Sequence, residues 1–450
     1  MRSQHETMII PIVPAATADG PAFRRVPTKL FVEVTSRCNL KCAMCPKQAP
    51  GGRDHDGDMD EAVFARLAPA FPQAEALVLN GIGESLLHRG LERMVALARR
   101  DMPATSWIGF QTNGQLVTAA RAHSLVQSGV NRVCVSADAV APDVFSKLRA
   151  GGKQSSVESA LKHVHAAARA VGNPVSLGIE FVAMRDNVGQ LPDLVRWAAR
   201  HHVEFVLVTH MLPYAKEMAQ AAAFETSTDG ARALYREWKV RASSEGIDIG
   251  DLGRYYNIFM RIHRTPEEER MVEWVARMVK DASNRSITLH LGRLFATDEG
   301  LQQRVEASFA EAAEVAREHG IELKLPASVP KRERRCDFVE DGSAFVSWNG
   351  DVHPCYFLWH RYHCFVGGAE KKVTPHSFGN LHQRDILGIW NGSPFGDFRN
   401  EVVRYEYPFC HDCNVALCGD VRDEVVEDCH LGSVPCASCM WCTGVFQCMQ

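Results

Sequence analysis

Apolar and polar residues alternate along the first half of the chain with two different periods. Short apolar runs rich in β-branched and aromatic residues recur, as expected for buried strands. Between them lie stretches such as Leu91 to Arg100 and Val157 to Val171, where apolar residues return every three or four positions, as in a helix. The apolar runs predict six strands, at Leu30 to Thr35, Ala76 to Asn80, Ser106 to Thr112, Arg132 to Ala137, Val175 to Ala183 and Val203 to Thr209.

Alternating strands and helices are typical of an α/β fold. Each strand–helix–strand unit joins two parallel strands, and such units build either an open doubly wound sheet or a complete or partial (β/α) barrel. In a barrel, the chemistry lies on the loops that follow the carboxyl ends of the strands. We therefore expect functional residues directly after the predicted strands.

The pattern becomes mostly helical from about Met211 to Pro326. The segment Thr265 to Glu268 (TPEE) predicts a capping box with proline at the first helical position, and a second helix is expected from Leu301 to Glu318. These helices either pack over the barrel or form a lid over a substrate. From Cys336 onward the chain has little periodicity and is rich in cysteine, glycine and histidine.

Charge and hydropathy argue against two classes of partner. The formal net charge is −4, so the chain has no basic field that would hold a phosphate backbone. No apolar run approaches the ~20 residues that a membrane helix needs. We therefore expect a cytoplasmic protein that binds neither nucleic acid nor membrane.

The chain contains 15 cysteines, which in a reducing compartment point to metal or redox chemistry rather than to disulfides. Their distribution is uneven. Three lie between Cys38 and Cys45, Cys134 stands alone inside a predicted strand as a small core residue, and the others lie between Cys336 and Cys448. Two separate metal-rich regions are predicted.

The first region is Cys38-x3-Cys42-x2-Cys45, directly after the first predicted strand. Three thiolates on one loop can bind three corners of an iron–sulfur cubane and leave the fourth iron without a protein ligand. An open iron of this kind can bind the amino and carboxylate groups of a methionine moiety. Zinc is the alternative, but structural zinc sites favour four ligands in paired C-x2-C knuckles.

The segment from Thr35 to Pro46 (TSRCNLKCAMCP) resembles the signature of the radical SAM superfamily. The resemblance extends from about Thr28 to His210. It implies a partial (β/α)6 TIM-type barrel, a [4Fe-4S] cluster on Cys38, Cys42 and Cys45, and S-adenosylmethionine as cofactor. It also implies an electron donor such as flavodoxin or ferredoxin. Met44 departs from the family, which often has an aromatic residue before the third cysteine.

The resemblance also implies a binding site for S-adenosylmethionine. Asn80 to Ser85 (NGIGES) follows the second strand and is similar to the family's G-G-E loop, in which backbone groups and a carboxylate hold the amino end of the cofactor. Segments after the third and fourth strands match places where family members contact the ribose and carboxylate; ordinary turn and capping roles are the alternative. The predicted cofactor-binding residues are Gly81, Gly83, Glu84, Asn113, Ser136 and Asp138.

The second cysteine region, which begins Cys336-x13-Gly350-x4-Cys355, resembles the SPASM extension of radical SAM proteins. This resemblance implies two auxiliary iron–sulfur clusters, which need eight thiolates when fully ligated by protein. The division of the later cysteines between the clusters stays open, and a zinc ribbon on two C-x2-C pairs is the alternative. The predicted ligands are Cys336, Cys355, Cys410, Cys413, Cys418, Cys429, Cys436, Cys439 and Cys448.

Together these features predict an α/β fold, with a partial (β/α)6 TIM-type barrel, a helical insertion and a Cys-rich C-terminal iron–sulfur domain. We predict a leader at residues 1–27, the barrel at 28–210, the insertion or linker at 211–335 and the SPASM-like domain at 336–450.

The predicted activity is reductive cleavage of S-adenosylmethionine to a 5′-deoxyadenosyl radical, which abstracts hydrogen from a substrate. The tail from Asp428 to Cys448 resembles a SPASM branch of metalloenzyme maturases, so we expect a protein or peptide substrate. No catalytic acid or base is assigned, because Tyr356 stands where sulfatase-maturating relatives have an aspartate base.

Three other functions stay open. One is modification of a ribosomal peptide by a thioether or carbon–carbon crosslink or by epimerisation. Another is dehydrogenation or rearrangement of a small molecule. The third, a non-enzymatic iron–sulfur electron carrier, is disfavoured because a carrier needs neither a G-x-G-E loop nor a barrel.

Overall fold

The computed structural model describes residues 20–49, 56–412 and 434–449. Three predicted cluster ligands, Cys413, Cys418 and Cys429, and most of the predicted leader lie outside the described residues. The strands are β1 (Lys29–Val32), β2 (Lys41–Cys42), β3 (Ala76–Leu79), β4 (Trp107–Thr112), β5 (Arg132–Ser136), β6 (Arg149–Ala150), β7 (Ser176–Ala183), β8 (Phe205–His210), β9 (Glu322–Lys324), β10 (Ser343–Val346), β11 (Val352–His353), β12 (Tyr362–Val366) and β13 (Ala369–Val373).

The main sheet has the strand order β11-β10-β1-β3-β4-β5-β7-β8-β9. Its central strands β1, β3, β4, β5, β7 and β8 are parallel neighbours and correspond to the six predicted strands, with small differences at their ends. The α/β class and the partial (β/α)6 barrel are therefore confirmed. Val32 pairs with Leu79 and Leu79 with Phe110, so the carboxyl ends of these strands meet at one edge.

Helices follow the strands along the chain. They are α1 (Glu61–Phe64), α2 (Leu91–Asp101), α3 (Ala119–Ser128), α4 (Pro142–Leu148), α5 (Gln154–Val171), α6 (Leu191–Ala199), α7 (Asp229–Ser244), α8 (Leu252–Phe259), α9 (Pro266–Asn284), α10 (Leu291–Phe295), α11 (Glu299–His319), α12 (Asp337–Glu340), α13 (Ile386–Trp390) and α14 (Ser393–Val402).

The core lies between these helices and the sheet. All four residues of β3 are buried, because a parallel sheet is covered by other elements on both faces. The helix α5 buries Val157, Leu161 and Val164, which share one face at helical spacing. Gly172 ends this helix in the left-handed conformation, with φ of 74°.

The segment between β8 and β9 contains the predicted helices. Thr265 caps α9 and forms the expected capping box with Glu268. The helices α7 to α10 have a hydrophobic core of their own, which includes Trp238 and Trp274. Near the end of this mostly helical segment, β9 (Glu322–Lys324) pairs in parallel with β8 and extends the sheet.

The cysteine-rich region shares the core of the barrel. The strand β10 pairs in parallel with β1, and β11 pairs antiparallel with β10, so this region extends the other edge of the sheet. Val445 and Phe446 of the tail are buried in the main hydrophobic core. None of the helices in the described ranges is both long and apolar enough to cross a membrane.

Candidate functional site

A cavity of about 290 Å³ opens at the carboxyl edge of the sheet. Its walls come from residues that end or follow β3, β4, β5 and β8, together with the loop after β1 and the C-terminal tail. This is the position where barrels place their chemistry. The predicted residues that line it are Cys38, Cys42, Cys45, Gly81, Gly83, Glu84, Asn113, Ser136 and Cys448.

The thiols of Cys38, Cys42 and Cys45 lie on one loop of this cavity and are half-buried. The loop is held in place where Cys42 in β2 pairs with Arg149 in β6. Burial raises the pKa of all three thiols, that of Cys45 to about 11, so a bound cation is needed to favour the thiolate. The donor set and its position fit a cubane held at three corners.

Among the described residues, no three His, Cys, Asp or Glu side chains are grouped closely enough to be assigned to a single metal ion. In a cubane each thiolate binds a different iron.

The glycines of the loop after β3 permit a close approach to the cluster loop. A Cβ atom on Gly83 would lie 2.1 Å from the carbonyl oxygen of Thr35, and one on Gly81 would lie 2.4 Å from the side chain of Glu33. Larger residues would therefore displace the cluster loop. Only glycine lets the two loops form adjoining walls of one cavity.

The carboxylate of Glu84 faces the same cavity but already has partners in the chain. It accepts hydrogen bonds from the hydroxyl of Thr112 at 2.7 Å, the backbone N–H of Asn113 at 2.8 Å and the backbone N–H of Leu86 at 3.3 Å. Burial raises its pKa, although these hydrogen bonds oppose the shift. A carboxylate has about four acceptor positions, so roughly one remains for a ligand.

Asp138 does not line this cavity. Its carboxylate accepts hydrogen bonds from Nε of Arg149 at 2.6 Å and from the backbone N–H of Val182 at 2.9 Å, and it thereby orients the guanidinium of Arg149. Arg149 lines the cavity as a buried cation. Burial lowers the pKa of Arg149, but Asp138 and Cys42 more than offset this, so the net shift is upward.

Sequence reasoning missed Arg149, because a single arginine after a short helix carries no motif. It also missed a polar chain across the same cavity. The hydroxyl of Tyr356 donates to Oδ1 of Asn80, and Nδ2 of Asn80 donates to Oε1 of Gln111 at 2.8 Å. Gln111 in turn contacts Glu180, whose pKa is raised by burial. These groups give the cavity a hydrogen-bonding wall beside the three thiols.

Five thiols surround a second, narrow cavity. They belong to Cys336, Cys355, Cys436, Cys439 and Cys442. Burial raises the pKa of Cys355 to about 11, again the environment of a thiol that requires a cation to ionise. Four of the five were predicted ligands. Cys442 was missed, although it repeats the two-residue spacing of Cys436 and Cys439.

The other described cysteines lie elsewhere. Cys448, a predicted ligand of an auxiliary cluster, lines the first cavity, where the indole N–H of Trp441 donates to its sulfur at 3.3 Å. Cys410 is held by a backbone hydrogen bond to Ala437 and approaches the buried Lys371. The ligand roles of Cys410 and Cys448 stay predictions. Trp441 lines both cavities and forms part of the wall between them.

Two family models match the chain. Residues 32–198 match the model of the radical SAM superfamily, and residues 336–414 match SPASM, an iron–sulfur cluster-binding domain. The first match contains the three thiols of the first cavity and the glycine loop. The second contains Cys336, Cys355 and Cys410. The radical SAM domain implies a [4Fe-4S] cluster and S-adenosylmethionine, and the SPASM domain implies auxiliary clusters.

Individual proteins are similar to this chain along most of its length. A tungsten-containing aldehyde ferredoxin oxidoreductase cofactor-modifying protein of Pyrococcus furiosus is 28% identical over 93% of this chain and 96% of its own length. A GTP 3′,8-cyclase of Caulobacter vibrioides is 28% identical over 70% of this chain and 93% of its own length. Among solved structures, Streptococcus suis SuiB bound to precursor peptide SuiA aligns with a TM-score of 0.47 at 13% identity, covering 90% of this chain and 76% of that one.

Proposed function

Because the chain carries a radical SAM domain and a SPASM iron–sulfur cluster-binding domain, we propose that it is a radical enzyme that acts in the maturation of a metalloenzyme. The observation that supports the maturation role is the similarity, along almost the whole of both chains, to a protein named for modifying the cofactor of a tungsten-containing oxidoreductase. Its substrate would be a protein or peptide, or a cofactor carried by a protein. Flavodoxin or ferredoxin would supply the electron.

When the cluster and S-adenosylmethionine are bound, they supply one-electron cleavage of the sulfonium to methionine and a 5′-deoxyadenosyl radical that abstracts hydrogen from the substrate. Cys38, Cys42 and Cys45 would hold the cluster. Glu84 would accept a hydrogen bond from the cofactor's ammonium through its remaining acceptor position. The guanidinium of Arg149 would pair with the cofactor's carboxylate.

The second cavity supports a role for an auxiliary cluster close to the reaction. Cys355 faces the second cavity, and the next residue, Tyr356, faces the first. Loss of a hydrogen atom leaves a substrate radical that must often lose an electron. Cys336, Cys355 and the tail thiols would hold a cluster that accepts this electron close to the substrate. Trp441 and Tyr356 would keep water out of the space between the two centres.

The proposed activity is tested with anaerobically reconstituted protein, dithionite and S-adenosylmethionine. We expect 5′-deoxyadenosine and methionine as products, and bound iron well above the content of one cubane. Changing Cys38, Cys42 and Cys45 together to alanine should abolish the products and remove one cluster's worth of iron. Cys134→Ala is the matched control, because Cys134 is a buried residue of β5 outside both cavities.

Two results would contradict the proposal. Methylthioadenosine as the sole product would indicate a different cleavage. Bound iron equal to the content of one cubane, together with bound zinc, would show that the protein holds no auxiliary iron–sulfur cluster. Maturation itself is tested by adding the apo form of a tungsten-containing aldehyde ferredoxin oxidoreductase and measuring whether its activity depends on this protein.

A second candidate is rearrangement of a purine nucleotide. It is supported by the similarity to GTP 3′,8-cyclases, which extends over most of this chain in one relative. Incubation of the reduced enzyme with GTP distinguishes the two candidates. Consumption of GTP in step with 5′-deoxyadenosine formation would favour the nucleotide reaction, whereas unchanged GTP would favour maturation.

A further inference from the structure

A third cavity, of about 450 Å³, adjoins the first across the cluster loop. It lies between this loop and the segment from Trp348 to Tyr362. Cys38, Ile82 and Trp359 line both cavities. A ligand in the third cavity would therefore sit directly beside the site where the radical is generated.

Two tryptophans form aromatic walls of this cavity. Trp359 is fixed by edge contacts with Phe345 at 4.9 Å and Tyr356 at 5.0 Å between ring centroids. Trp348 packs over Gly57, where a Cβ atom would lie 2.1 Å from the indole ring. Rings held in this way present flat apolar faces, on which planar heterocycles stack irrespective of their substituents.

Among the described residues, two cations of this cavity have no partner of opposite charge. Lys47 pairs with Asp56, and His360 with the buried Glu33 at 3.1 Å. The half-buried Arg361 and the exposed Lys41 form no side-chain hydrogen bond or ion pair within the described part of the chain. Two cations that no described side chain pairs, beside aromatic walls, are the features of a site for an anionic ligand that carries a ring.

We propose that this cavity binds a phosphate monoester of a planar heterocycle, as part of the substrate. This inference rests on the proposed function, because it assigns a substrate class to the site beside the radical. A phosphate monoester carries about −1.5 to −2 charges at pH 7, which matches the two unpaired cations. Arg361 binds the phosphate oxygens through its planar fork, Lys41 adds a second charge, and the ring lies against Trp348 and Trp359.

The proposal is tested by anaerobic calorimetry on the reconstituted enzyme with three probes: guanosine 5′-monophosphate, guanosine and inorganic phosphate. The monophosphate should bind more tightly than either of its parts. Arg361→Gln should weaken monophosphate binding about tenfold or more, through loss of a charge-assisted contact. Lys41→Gln should weaken it in the same direction. Trp348→Leu should weaken the binding of guanosine and of the monophosphate but leave the affinity for inorganic phosphate unchanged.

Arg169→Gln is the matched control, because Arg169 is an exposed arginine of α5 outside all three cavities. It should bind the monophosphate like the unmodified enzyme. Equal affinity of the unmodified enzyme, Arg361→Gln and Lys41→Gln for the monophosphate would overturn the proposal, as would no binding to the unmodified enzyme.

A separate measurement distinguishes this proposal from the proposed function. Arg361→Gln should bind S-adenosylmethionine and form 5′-deoxyadenosine without substrate at unchanged rates. If the unmodified enzyme forms no 5′-deoxyadenosine but the calorimetric pattern holds, the proposed function fails and the binding site stands. If the unmodified enzyme cleaves S-adenosylmethionine but the calorimetric pattern is absent, only the proposed binding site is wrong.

Discussion

At the scale of single residues, the first cavity depends on buried charges that support one another. Arg149 and Asp138 are both buried and hydrogen-bonded, so neither charge is left uncompensated. Their positions in the sequence, on either side of α4, give no sign of this pairing. The family resemblance implies that Asp138 binds the cofactor, and this role stays a prediction. In the structure its carboxylate orients a cation that faces the cavity.

Glu84 provides the first prediction. The change Glu84→Gln should weaken binding of S-adenosylmethionine by roughly one to two decades, since a charge-assisted hydrogen bond contributes roughly 1.5–3 kcal/mol. The iron content should stay the same, because the side chain is not a predicted iron ligand. Affinity and iron are measured on one preparation. Unchanged affinity with a lower unfolding temperature would show that Glu84 only supports the turn through Thr112 and Asn113.

His210 provides a prediction about pH. Burial lowers the pKa of His210 to about 3, and a contact with the Ala327 backbone, outside hydrogen-bond geometry, only partly offsets this. Between about pH 3 and 6.5 the unfolded chain therefore binds a proton here that the folded chain does not. Above about pH 6.5 the ring is neutral in both states and does not change the free energy of unfolding. Below that pH the free energy of unfolding falls by about 1.4 kcal/mol per pH unit.

The change His210→Phe should abolish this difference in proton binding between the unfolded and the folded chain. The ring already packs between Phe224 and Phe309, at centroid distances of 5.5 and 5.8 Å, so phenylalanine fits the environment. We expect the unfolding temperature of the variant to fall less than that of the unmodified protein between pH 8 and pH 5. His123→Phe, at an exposed position, reports any general effect of the substitution. Parallel curves for His210→Phe and the unmodified protein would contradict the prediction.

At the scale of elements, the central strands were predictable because burial on both faces produces continuous apolar runs, as in β3 and β8. The outer strands β9, β10 and β11 could not be predicted, and of these β9 and β11 form the two edges of the sheet. They are two to four residues long, and β10 joins β1 through a pairing between distant parts of the chain. No local pattern encodes such a pairing. The capping box of α9 was predictable, because its residues are adjacent in sequence.

The same difference applies to the candidate site. The three thiols and the glycine loop belong to short motifs with fixed spacing, so their positions could be predicted. Arg149, Gln111 and Glu180 reach the first cavity from separate elements and are brought together only by the fold. Cys442 was only partly predictable. The sequence shows the regular spacing of the tail cysteines, but it does not show that they lie beside Cys336 in the fold.

The tail cysteines provide a prediction about iron. Cys442→Ser should lower bound iron by up to one cluster, because Cys442 lies among the five thiols of the second cavity. Cys448→Ser should retain iron, since Cys448 lies in the first cavity beside Trp441. Both are measured after the same anaerobic reconstitution. Loss of iron from Cys448→Ser, with full iron in Cys442→Ser, would confirm the predicted ligand role of Cys448 and contradict a ligand role for Cys442.

At the scale of the whole molecule, the C-terminal tail joins the two centres. It supplies Cys436, Cys439 and Cys442 to the second cavity and Gln447 and Cys448 to the first. Backbone hydrogen bonds hold it along the segment that leads to Cys336, from Ala327 to Gly444, Lys331 to Thr443 and Arg335 to Cys442.

Gln447 anchors the end of the tail to the barrel. Its backbone N–H donates to the hydroxyl of Thr209 in β8 at 3.1 Å, and its side chain donates to the carbonyl of Leu325 at 2.7 Å. Phe446 beside it is buried and lines the first cavity. The barrel alone would therefore leave the first cavity without part of its wall.

A pair of truncations tests this coupling. A chain that ends at Ser433 lacks the three tail thiols of the second cavity and should lose that cluster's iron. It should keep the cluster on Cys38, Cys42 and Cys45, whose loop is held by β6 and not by the tail. It should still cleave S-adenosylmethionine, but water would enter the open cavity, so added substrate should no longer raise the rate of product formation. A chain that ends at Gln447 retains the tail thiols and the anchoring residue and should keep the full iron content. Equal iron in the chain ending at Ser433 and in the full chain would show that the tail thiols bind no cluster.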